Sequence, residues 1–247
     1  FLIIYYFMNW EDDTMAQEKP LNIVWFCTDQ QRWDTIGCLG NPYIKTPNID
    51  KFVSEGVTFT RAYTQAPVCT PSRSCFLTGR YPRTTKAFYN GNDNYSKDEK
   101  LVTKLLADEG YVCGLSGKLH LTSAQGRMEN RTDDGYTYVQ WSEHPNDDWL
   151  HGENCYQNWL KEKGLKWADI YGGKYTSMAT WPPTPNPNFT GKTVGVPAEY
   201  HQTTWCVEKA IEFIEENRGK DRPWLISLNP YDPQHTSPQE ADDHRQD

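Results

Sequence analysis

Leu21-Asn22-Ile23-Val24-Trp25-Phe26-Cys27-Thr28-Asp29-Gln30-Gln31-Arg32 is a short apolar run that ends abruptly in polar residues. A run of this length bounded by polar residues reads as a strand buried on both sides, the habit of a parallel sheet covered by helices. The polar residues after it stand at the strand's carboxyl end, where open α/β sheets collect their ligands. Working outward, residues 47–55 read as a helix with Ile49, Phe52 and Val53 on one face and Gly56 as its stop. Residues 57–63 alternate and read as a second strand. Residues 98–109 form an amphipathic helical pattern with Leu101, Leu105 and Leu106 inward and Gly110 closing it. Residues 111–116 read as a third strand, 154–163 as a short helix, 200–217 as a long helix and 223–229 as a fourth buried strand. This alternation predicts a three-layer α/β/α fold with a mainly parallel sheet. Residues 84–97 and most of 122–149 read as loop. Residues 165–197, dense in Pro, Gly and aromatics, read as a long insertion, either a lid or substrate loop or variable surface.

The most chemically pointed stretch is Cys69-Thr70-Pro71-Ser72-Arg73-Ser74-Cys75-Phe76-Leu77-Thr78-Gly79-Arg80. Thr70 suits an N-cap and Pro71 the first helical position, where a missing N–H costs nothing. Cys69 then sits just before a helix N-terminus, where orphan N–H groups and the macrodipole favour negative charge. Arg73 is four residues on, so its guanidinium can reach back over the first turn toward the same anion. Gly79 is the expected stop. The alternative is a buried cysteine in a core helix.

Cys69, Pro71, Ser72 and Arg73, followed by Thr78-Gly79, resemble the signature of the type I sulfatases, which share the alkaline-phosphatase-like fold. The resemblance implies that Cys69 is converted to formylglycine by a formylglycine-generating enzyme, and that the hydrated aldehyde attacks sulfur. It also implies a divalent cation, Ca²⁺ first and Mg²⁺ or Mn²⁺ as alternatives, with Asp29 and the modified Cys69 as ligands. The Thr28-Asp29-Gln30-Gln31-Arg32 variant is similar to the choline-sulfatase and phosphonate-monoesterase side of the superfamily. Gly117-Lys118-Leu119-His120 resembles the family's lysine and histidine. Their alternation on an extended segment puts Lys118, which would bind the sulfate, and His120, which would relay a proton, on one face. His235 stands in Pro233-Gln234-His235, where family members usually show Pro-His, and is the candidate acid for the leaving group. His144 is either a residue of the substrate entrance or a surface-loop histidine. The family's later Asp-Asn or Asp-His metal pair has no counterpart here, since Asp243-His244 follows a polar run rather than a buried strand. The resemblance covers roughly residues 21–235, with gaps across 165–197, and implies the amino-terminal portion of a catalytic domain over residues 20–247, with 1–19 as a peripheral extension. It implies a sulfuric ester hydrolase acting on a small aryl, choline or carbohydrate sulfate. The alternatives are a phosphonate monoester or phosphodiester hydrolase on the same cradle, or an inactive fragment.

Composition narrows the partners. The formal net charge of −8 argues against nucleic acid and acidic membrane surfaces. The apolar run 1–7 is too short to span a bilayer. It has neither a basic flank nor a small-residue cleavage site, so the cytoplasm is the expected compartment, with Met15 a possible natural start. The 7 cysteines show no disulfide spacing, and Cys27, Cys75 and Cys113 fall in apolar runs as reduced core residues. With 10 Trp and 15 Tyr, the chain is rich in side chains that sugar- or aryl-binding surfaces expose.

Overall fold

The computed structural model describes residues 20–124, 128–143, 154–165 and 196–233, together with the strands at 2–6, 175–177 and 184–185. Its main sheet has five strands: β1 (Leu2–Tyr6), β2 (Ile23–Cys27), β3 (Val112–Gly117), β4 (Tyr136–Trp141) and β7 (Trp224–Asn229). They lie in the order β1-β2-β7-β3-β4. β2, β7, β3 and β4 are mutually parallel, while β1 pairs antiparallel with β2 at the edge, Ile4 opposite Trp25. Residues 2–6, read from the sequence as part of an extension, thus extend this sheet. A separate antiparallel pair joins β5 (Tyr175–Ser177) to β6 (Thr184–Pro185), inside the stretch read as an insertion.

Alternation along the strands sorts side chains to two faces. Trp25 and Cys27 of β2, Cys113 and Leu115 of β3, and Leu225 of β7 enter one core, with Leu77 and Phe76 of α2 (Cys69–Thr78) and Val102 and Leu106 of α4 (Val102–Asp108). Val24, Val112 and Ile226 face the other way, onto Ala210 and Phe213 of α6 (Gln202–Asn217). Gly114 lets Phe213 approach the sheet, because a Cβ there would stand 2.8 Å from the ring. α5 (Cys155–Glu162), capped by the Asn154 side chain on Gln157 N–H, adds Tyr156, Trp159 and Leu160 beside Trp205 of α6. Helices on both faces of a mostly parallel sheet make the expected three-layer α/β/α architecture. Among the described residues no helix is long and apolar enough to cross a membrane.

Four readings of the sequence need correction. Residues 57–63 are not a strand; Val57, Phe59 and Tyr63 are exposed, and among the described residues no edge pairs with them. An alternating pattern becomes a strand only where a neighbour takes its N–H and C=O groups. Leu105 is 50 % exposed rather than inward, since α4 begins only at Val102 and is too short for a full apolar face. The segment read as loop contains β4, whose Tyr-Thr-Tyr-Val-Gln-Trp sequence has little aliphatic signal but satisfies its backbone on β3. Finally, Cys69 lies within the first turn of α2, not before it. Val68 is the N-cap, and Ser72 N–H donates to Val68 O at 2.9 Å. Thr70 does not cap because loop 90–91 claims it: its N–H donates to Asn90 Oδ1, and its hydroxyl accepts from Gly91 N–H.

Candidate active site

Because β2, β7, β3 and β4 are parallel, their carboxyl ends open on one edge of the sheet, and each delivers polar residues there. β2 leads into Asp29, β3 into Lys118, β4 into Glu143 and β7 into Asp232. Asp29 N–H donates to Asp232 O at 3.0 Å, and Lys118 N–H donates to Asn229 O at 2.8 Å, tying the three central exits together. The Lys118 carbonyl is held from two further sides, by Arg73 Nη1 at 2.8 Å and Asn229 Nδ2 at 3.0 Å. Adjacency of strands far apart in sequence is what gathers these groups.

At the centre is the Asp29 carboxylate, 4 % exposed. Lys118 Nζ lies 2.6 Å and Arg73 Nη2 3.6 Å from Asp29 Oδ2. Cys69 Sγ, at the mouth of α2, lies 3.5 Å from Asp29 Oδ1. The same Lys118 ammonium is 3.2 Å from Glu143 Oε1. Two buried cations thus face two buried carboxylates, with the thiol at their rim. A cavity of about 860 Å³ opens beside them, lined by Thr28, Asp29, Cys69, Ser72, Arg73 and Tyr81 among others.

The protonation states follow from this packing. Burial pushes the Cys69 thiol up, Lys118 and Arg73 pull it back, and Asp29 adds to the rise, so the unmodified side chain stays a thiol at neutral pH. Burial works against the Arg73 charge, but Cys27, Asp29, Glu143 and Cys69 outweigh it and raise its pKa. His120 is held well below the usual imidazole value, first by burial and then by the Lys118 and Arg73 charges. Its imidazole is therefore neutral at pH 7, and the two cations make it a weaker base than a free histidine.

That depression has a measurable consequence. In the unfolded chain His120 takes a proton near pH 6.5, whereas in the fold it stays neutral well below that value. The stability it contributes is complete above about pH 6.5 and is lost as pH falls toward the folded pKa. Denaturant unfolding of the parent and of His120→Gln between pH 7 and pH 5 is expected to diverge on this account. The parent should lose up to about 1.4 kcal/mol per pH unit more than the variant. Parallel curves would mean that the imidazole titrates normally in the fold.

Of the residues singled out in the sequence, Asp29, Cys69, Arg73 and Lys118 converge. His120 follows Lys118 at the same exit, but its backbone turns left-handed at φ 55° rather than continuing the extended segment. His144 and His235 lie outside the described residues, as does Asp243-His244. Glu143 was missed. Its neighbour Trp141-Ser142 reads as loop in the sequence, and recognising β4 would have placed Glu143 at a strand's carboxyl end. Asn90 was hidden in a polar loop. As for a cation, the resemblance offers Asp29 and the side chain at 69, whose Sγ lies 3.5 Å from Asp29 Oδ1. No set of three or more His, Cys, Asp or Glu among the described residues is arranged to hold a metal. Ca²⁺ takes about six to eight oxygens, so these two do not complete such a site.

Known proteins are similar to this chain in sequence and in fold. An ulvan-active sulfatase of Formosa agariphila is 44 % identical over 108 residues, 42 % of this chain and 21 % of that protein. Human steryl-sulfatase is 39 % identical over 131 residues, 49 % of this chain and 22 % of that protein. The chain thus spans about a fifth of the length of these curated relatives. A solved structure in complex with its substrate D-glucosamine-2-N,6-O-disulfate aligns with a TM-score of 0.56 and 26 % identity, over 88 % of this chain and 35 % of that one. The phosphonate monoester hydrolase of Agrobacterium radiobacter aligns with a TM-score of 0.60 at 22 % identity, over 86 % of this chain and 40 % of that one, a likeness of fold. The family model described as Sulfatase matches residues 21–246, and the chain belongs to the sulfatase family.

Proposed function

We propose that this domain hydrolyses sulfate esters, with the side chain at position 69 as nucleophile after its conversion to formylglycine. The observation that carries the reading is the juxtaposition of Cys69 with Asp29, Arg73 and Lys118 at the mouth of α2. The hydrated aldehyde supplies an oxygen nucleophile and a second hydroxyl through which sulfate is later released. The chain's own residues do the rest. The N-terminal turn of α2 and the Arg73 and Lys118 charges stabilise negative charge on the transferring group. Neutral His120 is the candidate acceptor of the proton that must leave the second hydroxyl, the negative charge of the bound sulfate offsetting the Lys118 and Arg73 charges that weaken it as a base. His235 is the candidate donor to the departing alcohol. A divalent cation, Ca²⁺ first, would contact Asp29 and the oxygen at position 69 and would supply positive charge beside the transferring group.

The substrate class that fits is a sulfated carbohydrate or aryl sulfate. Tyr63 and Tyr81 line the cavity and are 83 % and 70 % exposed, offering ring faces on which a sugar or aryl group can stack. One solved relative carries a sulfated glucosamine as its substrate.

Co-expression with a formylglycine-generating enzyme, followed by mass spectrometry of the peptide containing Cys69, tests the nucleophile. The expected result is an aldehyde in place of the thiol, turnover of p-nitrophenyl sulfate by the full-length protein, and no turnover in Cys69→Ala. A Cys69→Ala variant that still turns over the ester removes the proposal. Faster hydrolysis of a phenyl phosphonate ester than of the sulfate would move the reading to phosphoryl chemistry on the same cradle.

A further inference from the structure

We propose that Glu129 is a positioning residue of this site, its buried carboxylate fixing the turn that presents Lys118 and His120. Glu129 lies nine residues beyond His120 and is 3 % exposed. Its Oε1 accepts from His120 N–H at 2.6 Å and from Trp141 Nε1–H at 3.1 Å. Its Oε2 accepts from Leu121 N–H at 2.6 Å and Thr122 N–H at 3.2 Å. Four donors fill the acceptor positions that one carboxylate offers.

Three facts make this more than a satisfied core acid. The three backbone donors are consecutive and belong to the segment leaving β3, where the ladder to β7 ends at Gly117. The first belongs to His120, whose φ of 55° is uncommon for a residue with a side chain and persists only when its surroundings over-determine it. The fourth donor, Trp141, is the last residue of β4, two positions before the Glu143 that contacts Lys118. One carboxylate thus clamps the exits of β3 and β4 together and sets where His120 stands relative to Lys118. The cost of burying it is visible, since burial and then nearby Glu143 raise its pKa against the hydrogen bonds that lower it.

The inference rests on the sulfate-ester reading for its purpose but is tested separately from it. Glu129→Gln keeps the shape, removes one acceptor and turns an amide N–H toward a donor. Hydrogen exchange followed by mass spectrometry on the full-length protein should show the 118–122 peptide exchanging at least tenfold faster in the variant. The β7 peptide should be unchanged, and affinity for inorganic sulfate, by calorimetry well below the unfolding temperature, should fall about tenfold. Equal exchange in the 118–122 peptide, or a loss of protection spread evenly over β3 and β7, overturns the proposal. Glu129→Asp, which keeps the charge but withdraws it by one methylene, should lie between the two. If neither variant folds, the parent decides: amides 120–122 must be as protected as Leu115 of β3, and rapid exchange there overturns the assignment. A parent that binds no sulfate counts against the sulfate-ester reading, while the exchange result still decides the clamp.

Discussion

Lys118→Met is expected to destabilise the fold by about 3–5 kcal/mol, the range for removing one partner of a buried ion pair. The ammonium is 0 % exposed and lies 2.6 Å from Asp29 and 3.2 Å from Glu143. Methionine fills much of the same volume, so the loss reports the charge rather than a cavity. What remains is two buried carboxylates, Glu143 and Asp29, from which the Lys118 charge has been withdrawn, with Arg73 3.6 Å from Asp29. Against a total stability of about 5–15 kcal/mol this is a large fraction. In a domain of this size it corresponds to about 6–20 °C in melting temperature. The Lys118→Met/Asp29→Asn double variant should recover part of the loss, because the second change removes one of the two carboxylate charges that faced Lys118. Strict additivity of the two single effects would mean that Lys118 and Asp29 are not energetically coupled, against their geometry.

Gly117→Ala should be comparably severe, above about 4 kcal/mol, for a steric reason. Gly117 ends β3 at φ +107°, and a Cβ there would stand 2.1 Å from Asn229 O and 3.0 Å from Cys206 Sγ. The Asn229 carbonyl cannot retreat cheaply, because it accepts the Lys118 N–H at 2.8 Å. Relief requires parting β3 from β7 at the point where the site is assembled. Gly110→Ala is the control. Its φ is +94°, yet nothing lies within 4 Å of the added carbon, so only the backbone strain of about 1–2 kcal/mol applies. Denaturant midpoints for the two variants separate the terms. A Gly117→Ala protein no less stable than Gly110→Ala would show that the sheet yields at this exit.

How much of this was legible beforehand depends on how local each signal is. β2, β3, β7 and the long α6 carry their own period, whether continuous apolar runs or apolar residues three and four apart, so they could be read before any neighbour was known. α1 (Pro47–Glu55) was readable to the residue from its proline start and glycine stop. The strand at 57–63 was misread because alternation describes what a strand would bury and not whether a partner edge exists. β4 was missed for the converse reason: its polar sequence is strand only because β3 lies beside it. Thr70 looked like a cap until Asn90 and Gly91 reached it from twenty residues away.

The amino-acid sequence by itself determined the α/β class and a helix closed by Gly79, though it put the start after Cys69 rather than at it, and it offered Asp29, Arg73, Lys118 and His120 as candidates. The class and the helix rest on residue type and short-range spacing, which the chain carries wherever it goes, while the candidate residues rest also on the family resemblance of their motifs. Only the tertiary structure decided that these four share one sheet edge, that Glu143 competes with Asp29 for the same lysine, and that Glu129 closes the turn behind His120. Buried carboxylates acquire a role from which donors and charges surround them, and those neighbours come from strands that meet only once β7 lies between β2 and β3.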